Sequence, residues 1–467
     1  MASNWKEYSL SEITELVIDN RGRNPSCYSN AGIPVIDNYL IISEGEPELS
    51  KIKRFIDKDI YNTFIRKYNQ MGDVLLTLVG NGYGNVAISP QERCIIIQNT
   101  IGLRTKSGFD NHFLYYLLKG NRASLTNLNR GAAQPSIKVG DVLNLCFYFP
   151  TYDQQGLIGN TLYQLDQKIR LNRQTNQTLE QMAQALFKSW FVDFDPVFDN
   201  AFDTGLSVDD FPDELQDRAM IRQQHRANAM QQGTEIALQQ PRLPSATVLQ
   251  PNSPQTTQTE SERIRGLFPS EFEQCDDPSV GINGWIPKGG KVSELGAFIK
   301  FANGKAKKSS DEGACPIYGA NGVIGKTNEF NFTNAVIVGR VGAYCGAIEY
   351  CRYNFWSSDN TIVAISKISE SHIPFVFYQL KFLDLNQYAG GAAQPLLNQT
   401  TLNKLKVPFL SIECISKFND VIDGFLLKQI KNTEQIVKLS EIRDVLLPKL
   451  ISGELQLSEA VQSIETM

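Results

Sequence analysis

The sequence predicts an α+β protein with an internal pseudo-two-fold repeat: one mixed α/β module built twice, each copy followed by a long helix. Three observations predict it. The pentapeptide Gly-Ala-Ala-Gln-Pro occurs at Gly131–Pro135 and again at Gly391–Pro395, 260 residues later. Similarity extends on both sides of it, with Asn99-Thr100-Ile101 answered by Asn360-Thr361-Ile362 and Phe113-Leu114-Tyr115-Tyr116 by Phe375-Val376-Phe377-Tyr378. Behind each copy runs a long segment with apolar residues at alternating steps of three and four. The period is far too long for a solenoid and fits a duplicated domain.

The first module spans 1–150. Apolar runs at Val74–Val79 and Cys94–Ile97 read as strands bounded by Gly/Asn turns such as Gly80-Asn81-Gly82-Tyr83-Gly84-Asn85, and His112–Lys119 reads as a short helix. The second module spans 283–410, with strands expected over Ala335–Val338 and Thr361–Ile365.

Segment 151–196 carries the first helix. Its seam runs Ile158, Leu162, Leu165, Ile169, Asn172, Asn176, Leu179, Ala183, Leu186, and Asp195-Pro196 is expected to end it. Segment 411–467 carries the second, with Phe418, Ile422, Phe425, Gln429, Asn432, Ile436, Leu439, Arg443, Leu446, Leu450. The seams superpose with Asn172 on Asn432. An a/d stripe this long demands a partner helix, and polar residues on it cost stability but fix register. A helix from Asp153 to Trp190 would be about 60 Å long at 1.5 Å per residue.

Between them, 197–282 reads as an acidic, Gln/Pro-rich joint, partly disordered. Asp213–Gln231 can form a helix, whereas 232–260 has too little apolar surface to pack.

The net charge of −5 argues superficially against a polyanionic partner, but its distribution reverses the argument. Residues 193–282 hold 6 Lys/Arg against 16 Asp/Glu, whereas 283–410 hold 13 against 8 and 1–150 hold 16 against 14. The modules are therefore mildly basic, and local field is what attracts phosphate.

Chemistry-bearing motifs are missing. There is no Asn/Asp-Pro-Pro-aromatic motif for holding a target amine, no Gly-rich nucleotide loop with an acidic partner, and no acidic pair plus lysine for a nuclease. Gly325-Lys326-Thr327 ends like a phosphate loop, but Ala320 stands where that loop needs glycine, so Tyr318–Gly322 reads as a turn. His112, His225 and His372 lack metal spacing, and Cys345 and Cys351 lack a partner pair, so no metal or catalytic site is expected. The scattered cysteines fit reduced thiols in a cytoplasm. No apolar run is long enough to cross a membrane.

The candidate ligand-binding loops combine base, glycine and aromatic residues: Arg21, Arg23, Lys51, Lys53, Arg54, Arg66 and Lys67 in the first module, and Lys300, Lys305, Lys307, Lys308, Arg340 and Tyr344 in the second. Arg and Lys neutralise phosphates, and Arg also bonds base edges bidentately. Gln134, Pro135, Gln394 and Pro395 are expected to form a structural junction where each module meets its helix.

The duplicated pentapeptide, Leu179–Pro196 and Leu446–Leu455 together resemble the specificity subunit of type I restriction–modification systems, over nearly the full length. Leu267-Phe268-Pro269 and Ile286-Pro287-Lys288-Gly289 resemble that family's lead-in to its second module. The resemblance implies two target-recognition domains reading the two halves of a split, asymmetric double-stranded DNA sequence. It implies that the two helices pack as an antiparallel coiled coil. It further implies partnership with two modification subunits, which bind S-adenosylmethionine and methylate adenine, and with restriction subunits using ATP and Mg. The chain itself would then be non-catalytic and without a cofactor. Half-sites on one face of B-DNA lie about 34 Å apart, a span the helices can accommodate. The alternative is a coiled-coil scaffold that ignores DNA.

Overall fold

The computed structural model describes residues 5–23, 25, 27–90, 93–131, 134–231, 260–391 and 395–455. They form two compact units, one of Met1–Asn176 with Ile430–Met467 and one of Gln177–Gln429.

In the first unit the main sheet is antiparallel, in the order Thr14–Asp19, Thr100–Thr105, Val74–Thr77, Val86–Ile88. The strands Val74–Thr77 and Val86–Ile88 are buried at every position and mostly aliphatic, as strands covered on both faces require. The helix Asn111–Gly120 covers one face and buries Phe113 to Leu118. Asp110 caps that helix by accepting from the Phe113 amide at 2.7 Å. A smaller sheet joins Phe55–Ile56, Ile33–Ile36 and Ile95–Ile96, the last pair parallel. Lys6–Ser9 pairs with Cys146–Phe149, which leads into the first long helix.

The second unit repeats this plan with a larger sheet of six strands: Ile299–Asn303, Thr361–Ser366, Phe332–Gly339, Ile348–Ser357, Cys315–Gly319 and Gly322–Thr327. Lys291–Glu294 pairs with Lys406–Phe409 as Lys6–Ser9 does with Cys146–Phe149. Pro408 sits inside its strand, which a two-stranded ladder tolerates because one edge needs no donor. The helix Ile373–Phe382 opens on Pro374, and Asn419 Oδ1 accepts from the Phe375 amide at 2.9 Å.

The long helices are Tyr152–Phe191 and Ile412–Ile451, and they pack antiparallel. In the first unit the pairing is read from Asp166 to Arg443 and from Asn172 to Gln435, partner numbers falling as residue numbers rise. In the second, Phe187, Trp190 and Phe191 close on Phe418, with ring centroids 5.3–6.1 Å apart. The expected seam is buried at Ile158, Leu162, Ile169, Asn172 and Ala183, and at Phe418, Ile422, Phe425, Asn432, Leu446 and Leu450. Past Ala183 it moves one residue on, burying Phe187 and Trp190 while Leu186 stays half-buried. That is the drift of a 3.6-residue helix against a 3.5-residue repeat.

Asp195-Pro196 does not end the first long helix. That helix stops at Phe191, Phe194 takes a left-handed conformation (φ 53°), and Pro196 sits in the first turn of a new helix, Asp195–Asp203. A first-turn proline lacks only an amide that would have been unpaired, so it starts a helix at no cost. Asp213–Gln231 is helical as expected. It packs on Asp195–Asp203 through Phe198, Ala201, Phe211, Leu215 and Ala219. Along the same contact Arg218 pairs with Asp193 and Asp195, Arg222 with Asp195 and Asp199, and Arg226 with Asp199 and Asp203. Residues 232–259, expected not to pack, lie outside the described residues.

Candidate nucleic-acid interface

Both units build one corner the same way. In the first, the strand Val74–Thr77 runs into the glycine-rich loop 80–85, and the pentapeptide closes on it. Gly80 donates to the Pro135 carbonyl at 3.2 Å, and Ile137 donates to the Leu78 carbonyl at 2.9 Å. In the second, Gly342 donates to the Pro395 carbonyl at 3.1 Å, and Leu397 donates to the Arg340 carbonyl at 2.9 Å. Gly131 is obligatory, because a side chain there would lie 1.9 Å from the Gln134 carbonyl oxygen. Asn129 closes the turn, its side-chain oxygen accepting from Gly131 and Ser136 at 3.0 and 2.9 Å. Pro135 and Pro395 thus dock on loops at strand ends. A short helix and a strand, Val139–Leu143 and Cys146–Phe149 in the first copy, intervene before the long helix. Gln134 is exposed, and Gln394 lies outside the described residues.

The first module's bases fall in two groups. Around buried Asn20, whose side chain bonds the Lys67 carbonyl and the Arg66 and Lys67 amides, gather Arg21, Arg23, Arg66 and Lys67. Arg21 forks onto Asp19 at 2.9 and 2.6 Å and holds that carboxyl below its ordinary value. Lys67 Nζ donates to the Val17 carbonyl at 2.6 Å. Arg66 is exposed. The second group lies along the small sheet. Arg54 pairs with Asp37 and lies 4.6 Å over Tyr28, Lys51 pairs with Glu48 at 2.7 Å, and Lys53 is exposed.

Sequence reasoning missed Arg93 and the aromatic residues. Arg54 over Tyr28, Arg23 over Phe64 (5.3 Å) and Arg93 over Tyr61 (5.4 Å) all use rings of one small apolar cluster built on Ile33, Val35, Ile56, Ile65, Ile95 and Ile97. A guanidinium on a ring can still present an N–H edge to an acceptor, although Arg54 has already committed its Nε and one Nη to Asp37. The signal was in the sequence as tyrosines and phenylalanine spaced among bases over Tyr28–Tyr68, but only the fold brings them onto one cluster.

In the second module the lysines gather round Trp356. Lys307 Nζ lies 4.5 Å from that ring and 2.8 Å from Glu329, and the Trp356 indole donates to the Lys305 carbonyl at 2.7 Å. Lys305 and Lys308 are exposed, and Lys300 is exposed on the strand Ile299–Asn303. Arg340 and Tyr344 stand apart from these, in the corner with Pro395. Tyr344 is 51% exposed, and Arg340 makes no ion pair among the described residues, its Nε buried without an acceptor.

Buried charge is used structurally. Asp166, 5% exposed, accepts from Tyr116 at 2.8 Å and Arg443 at 2.7 Å and faces Lys119 at 3.4 Å. Burial pushes the Lys119 ammonium below its ordinary value despite Asp166. The second unit sets the matching Tyr378 and Lys381 against Glu180 at 3.0 and 2.6 Å. His112 stacks on Tyr163, and His372 bonds Ser416 at 3.0 Å. Among the described residues no cluster of His, Cys, Asp and Glu is arranged to hold a metal, and no helix is long and apolar enough to cross a membrane. All eight cysteines are unbridged.

The family model of the type I restriction modification DNA specificity domain matches residues 2–181 and 287–437. The chain is 27% identical to the HindI type I restriction enzyme specificity subunit of Haemophilus influenzae, over 97% of this chain and 100% of that one. It is 23% identical to the MjaIX specificity subunit of Methanocaldococcus jannaschii, over 97% and 95%. Its fold is similar to the S subunit of a type I restriction–modification system from M. genitalium, with a TM-score of 0.59 at 17% identity, covering 96% of each chain.

Proposed function

The chain belongs to the type I restriction–modification DNA specificity family, and from that premise we propose that it binds a bipartite, asymmetric DNA sequence, one half-site to each module. Residues 1–150 and 283–410 are the two readers, and the long helices between and behind them set the half-site spacing. The chain carries no catalysis and no cofactor of its own. It brings two modification subunits, which bind S-adenosylmethionine and methylate adenine, to the target in the cytoplasm, and restriction subunits with ATP and Mg act through the same address.

One observation carries this reading: the same module plan occurs twice, with different basic and aromatic side chains on it. Arginines over tyrosine and phenylalanine rings serve the first copy, and a lysine over an indole, with exposed lysines beside it, serves the second. A pair of identical readers would recognise a palindrome, whereas a pair that differs in its loops recognises two different half-sites.

Methylome sequencing of a host expressing the chain with its modification subunit tests this. A methylated motif in two unlike halves, absent when the chain is omitted, is expected. Methylation by the isolated chain, or an unchanged methylome when the chain is omitted, overturns it.

A further inference from the structure

The repeated corner makes the same two backbone hydrogen bonds in both modules and, at one position, carries a different side chain. Gln134 is exposed, and its amide group makes no hydrogen bond among the described residues, although Gly131, Asn129 and Pro135 are all committed to holding the turn beneath it. The turn is thus maintained around a glutamine whose amide has no partner among the described residues. The pentapeptide is identical in the two modules, while the loops around it differ. At the strand end bonded by the residue two beyond the pentapeptide, Ile137 or Leu397, the first module has Leu78, fully buried, and the second has Arg340. Arg340 has its backbone donor and acceptor fixed by Asn360 and Leu397, no ion pair among the described residues, and a buried Nε with no acceptor. Its bonding capacity is unspent, and swinging the side chain out to an acceptor relieves the buried donor.

A side chain repeated unchanged in two modules that read different sequences makes a contact independent of sequence. In DNA that contact is the sugar–phosphate backbone, because phosphates are alike at every step and base edges are not. A side chain present in only one module serves that module's half-site. We propose that Gln134 donates its amide to a backbone phosphate, setting the depth of the first module on the duplex, and that Arg340, beside the equivalent corner of the second module, forks onto a guanine edge of the second half-site. This rests on the DNA-reading function proposed above. Guanine is the base that offers two acceptors, O6 and N7, to an arginine fork.

The test uses the full chain assembled with its modification subunits, a duplex bearing the methylated motif, and a scrambled duplex of equal length. Gln134→Ala is expected to weaken both duplexes by the same factor, roughly tenfold for one hydrogen bond to a charged acceptor. Gln134→Lys is expected to steepen the dependence of log affinity on log salt by about 0.9, the release of one further counterion. Arg340→Lys, which keeps the charge and loses the fork, is expected to relax a single G·C position of the second half-site in the methylome and to leave the first half-site intact. Loss confined to the motif duplex in Gln134→Ala, an unchanged salt slope in Gln134→Lys, or an unchanged motif in Arg340→Lys overturns the proposal. Failure of the unsubstituted complex to prefer its motif overturns the DNA-reading function instead.

Discussion

The Asn172 amide donates to Gln435 Oε1 at 2.9 Å between the two long helices, and one turn on Asn432 donates to Asn176 Oδ1 at 2.8 Å. Asn172 and Asn432 are the residues that the sequence superposes, and both are buried. A polar pair on an apolar seam trades stability for register. Asn172→Leu is therefore expected to raise the denaturant midpoint of the protein, because Gln435 is exposed and water replaces its lost partner. A lowered midpoint would show that the pair contributes net stability.

Asp166 is the opposite case. It is buried under Tyr116, Lys119 and Arg443, and Asp166→Ala leaves two cations at a largely dry site. The expected cost is about 3–5 kcal/mol, measured by urea unfolding of the variant. Asp166→Asn, which keeps an acceptor for Tyr116, should cost less.

Phe418 is fully buried and meets the rings of Phe187, Trp190, Phe191, Phe375 and Tyr378. Phe418→Ala removes the common member of that cluster. A loss of about 3–5 kcal/mol is expected, read as a fall in the unfolding midpoint that Phe418→Leu largely restores.

Burial holds the His372 imidazole below its ordinary value of 6.5, while Ser416 bonds one ring nitrogen and the other is buried without a partner. A group whose folded value is depressed contributes stability that is complete above the unfolded value and lost as pH falls through the folded one. Unfolding free energy should therefore decline below about pH 6.5. His372→Gln should flatten that part of the profile, and an unchanged slope would remove His372 as its cause.

Lys305→Glu with Lys307→Glu and Lys308→Glu tests the second module's phosphate attraction. Lys307 is already paired with Glu329, so Lys305 and Lys308 carry most of the effect. A salt slope reduced by about two in the assembled complex is expected. Unchanged binding to DNA would favour the scaffold alternative.

The helices and the repeat were legible in the sequence because their signals are local and periodic. The seam from Ile158 to Leu450 needs only spacing to be read, and the helix Asp213–Gln231 has the bounds expected of it. Asp195-Pro196 is ambiguous in sequence, because a proline that blocks one helix is equally fit to open the next, and the left-handed turn at Phe194 decides between the two. The basic residues were visible as charges but not as groupings. Arg21 spends its charge on Asp19, two residues back in the chain, and Lys67 spends its on the Val17 carbonyl, which the fold brings to it from a distant strand. Arg93 meets the Tyr61 ring where Tyr61 packs on Tyr68, with ring centroids 4.7 Å apart, in a cluster assembled from distant segments.

The ladder of Asp193, Asp195, Asp199 and Asp203 against Arg218, Arg222 and Arg226 has rungs spaced close to one helical turn. Equal rungs are blind to translation: a slip of four residues would break one end and re-form most of the rest. The carboxylates and guanidiniums thus fix which faces of the two helices meet, without fixing how far along they meet. That choice falls to Phe198, Phe211 and Leu215, side chains of unequal shape close-packed in one buried cluster. Trimming those three side chains would turn a single docked position into several, separated only by the salt bridges lost at one end of the ladder.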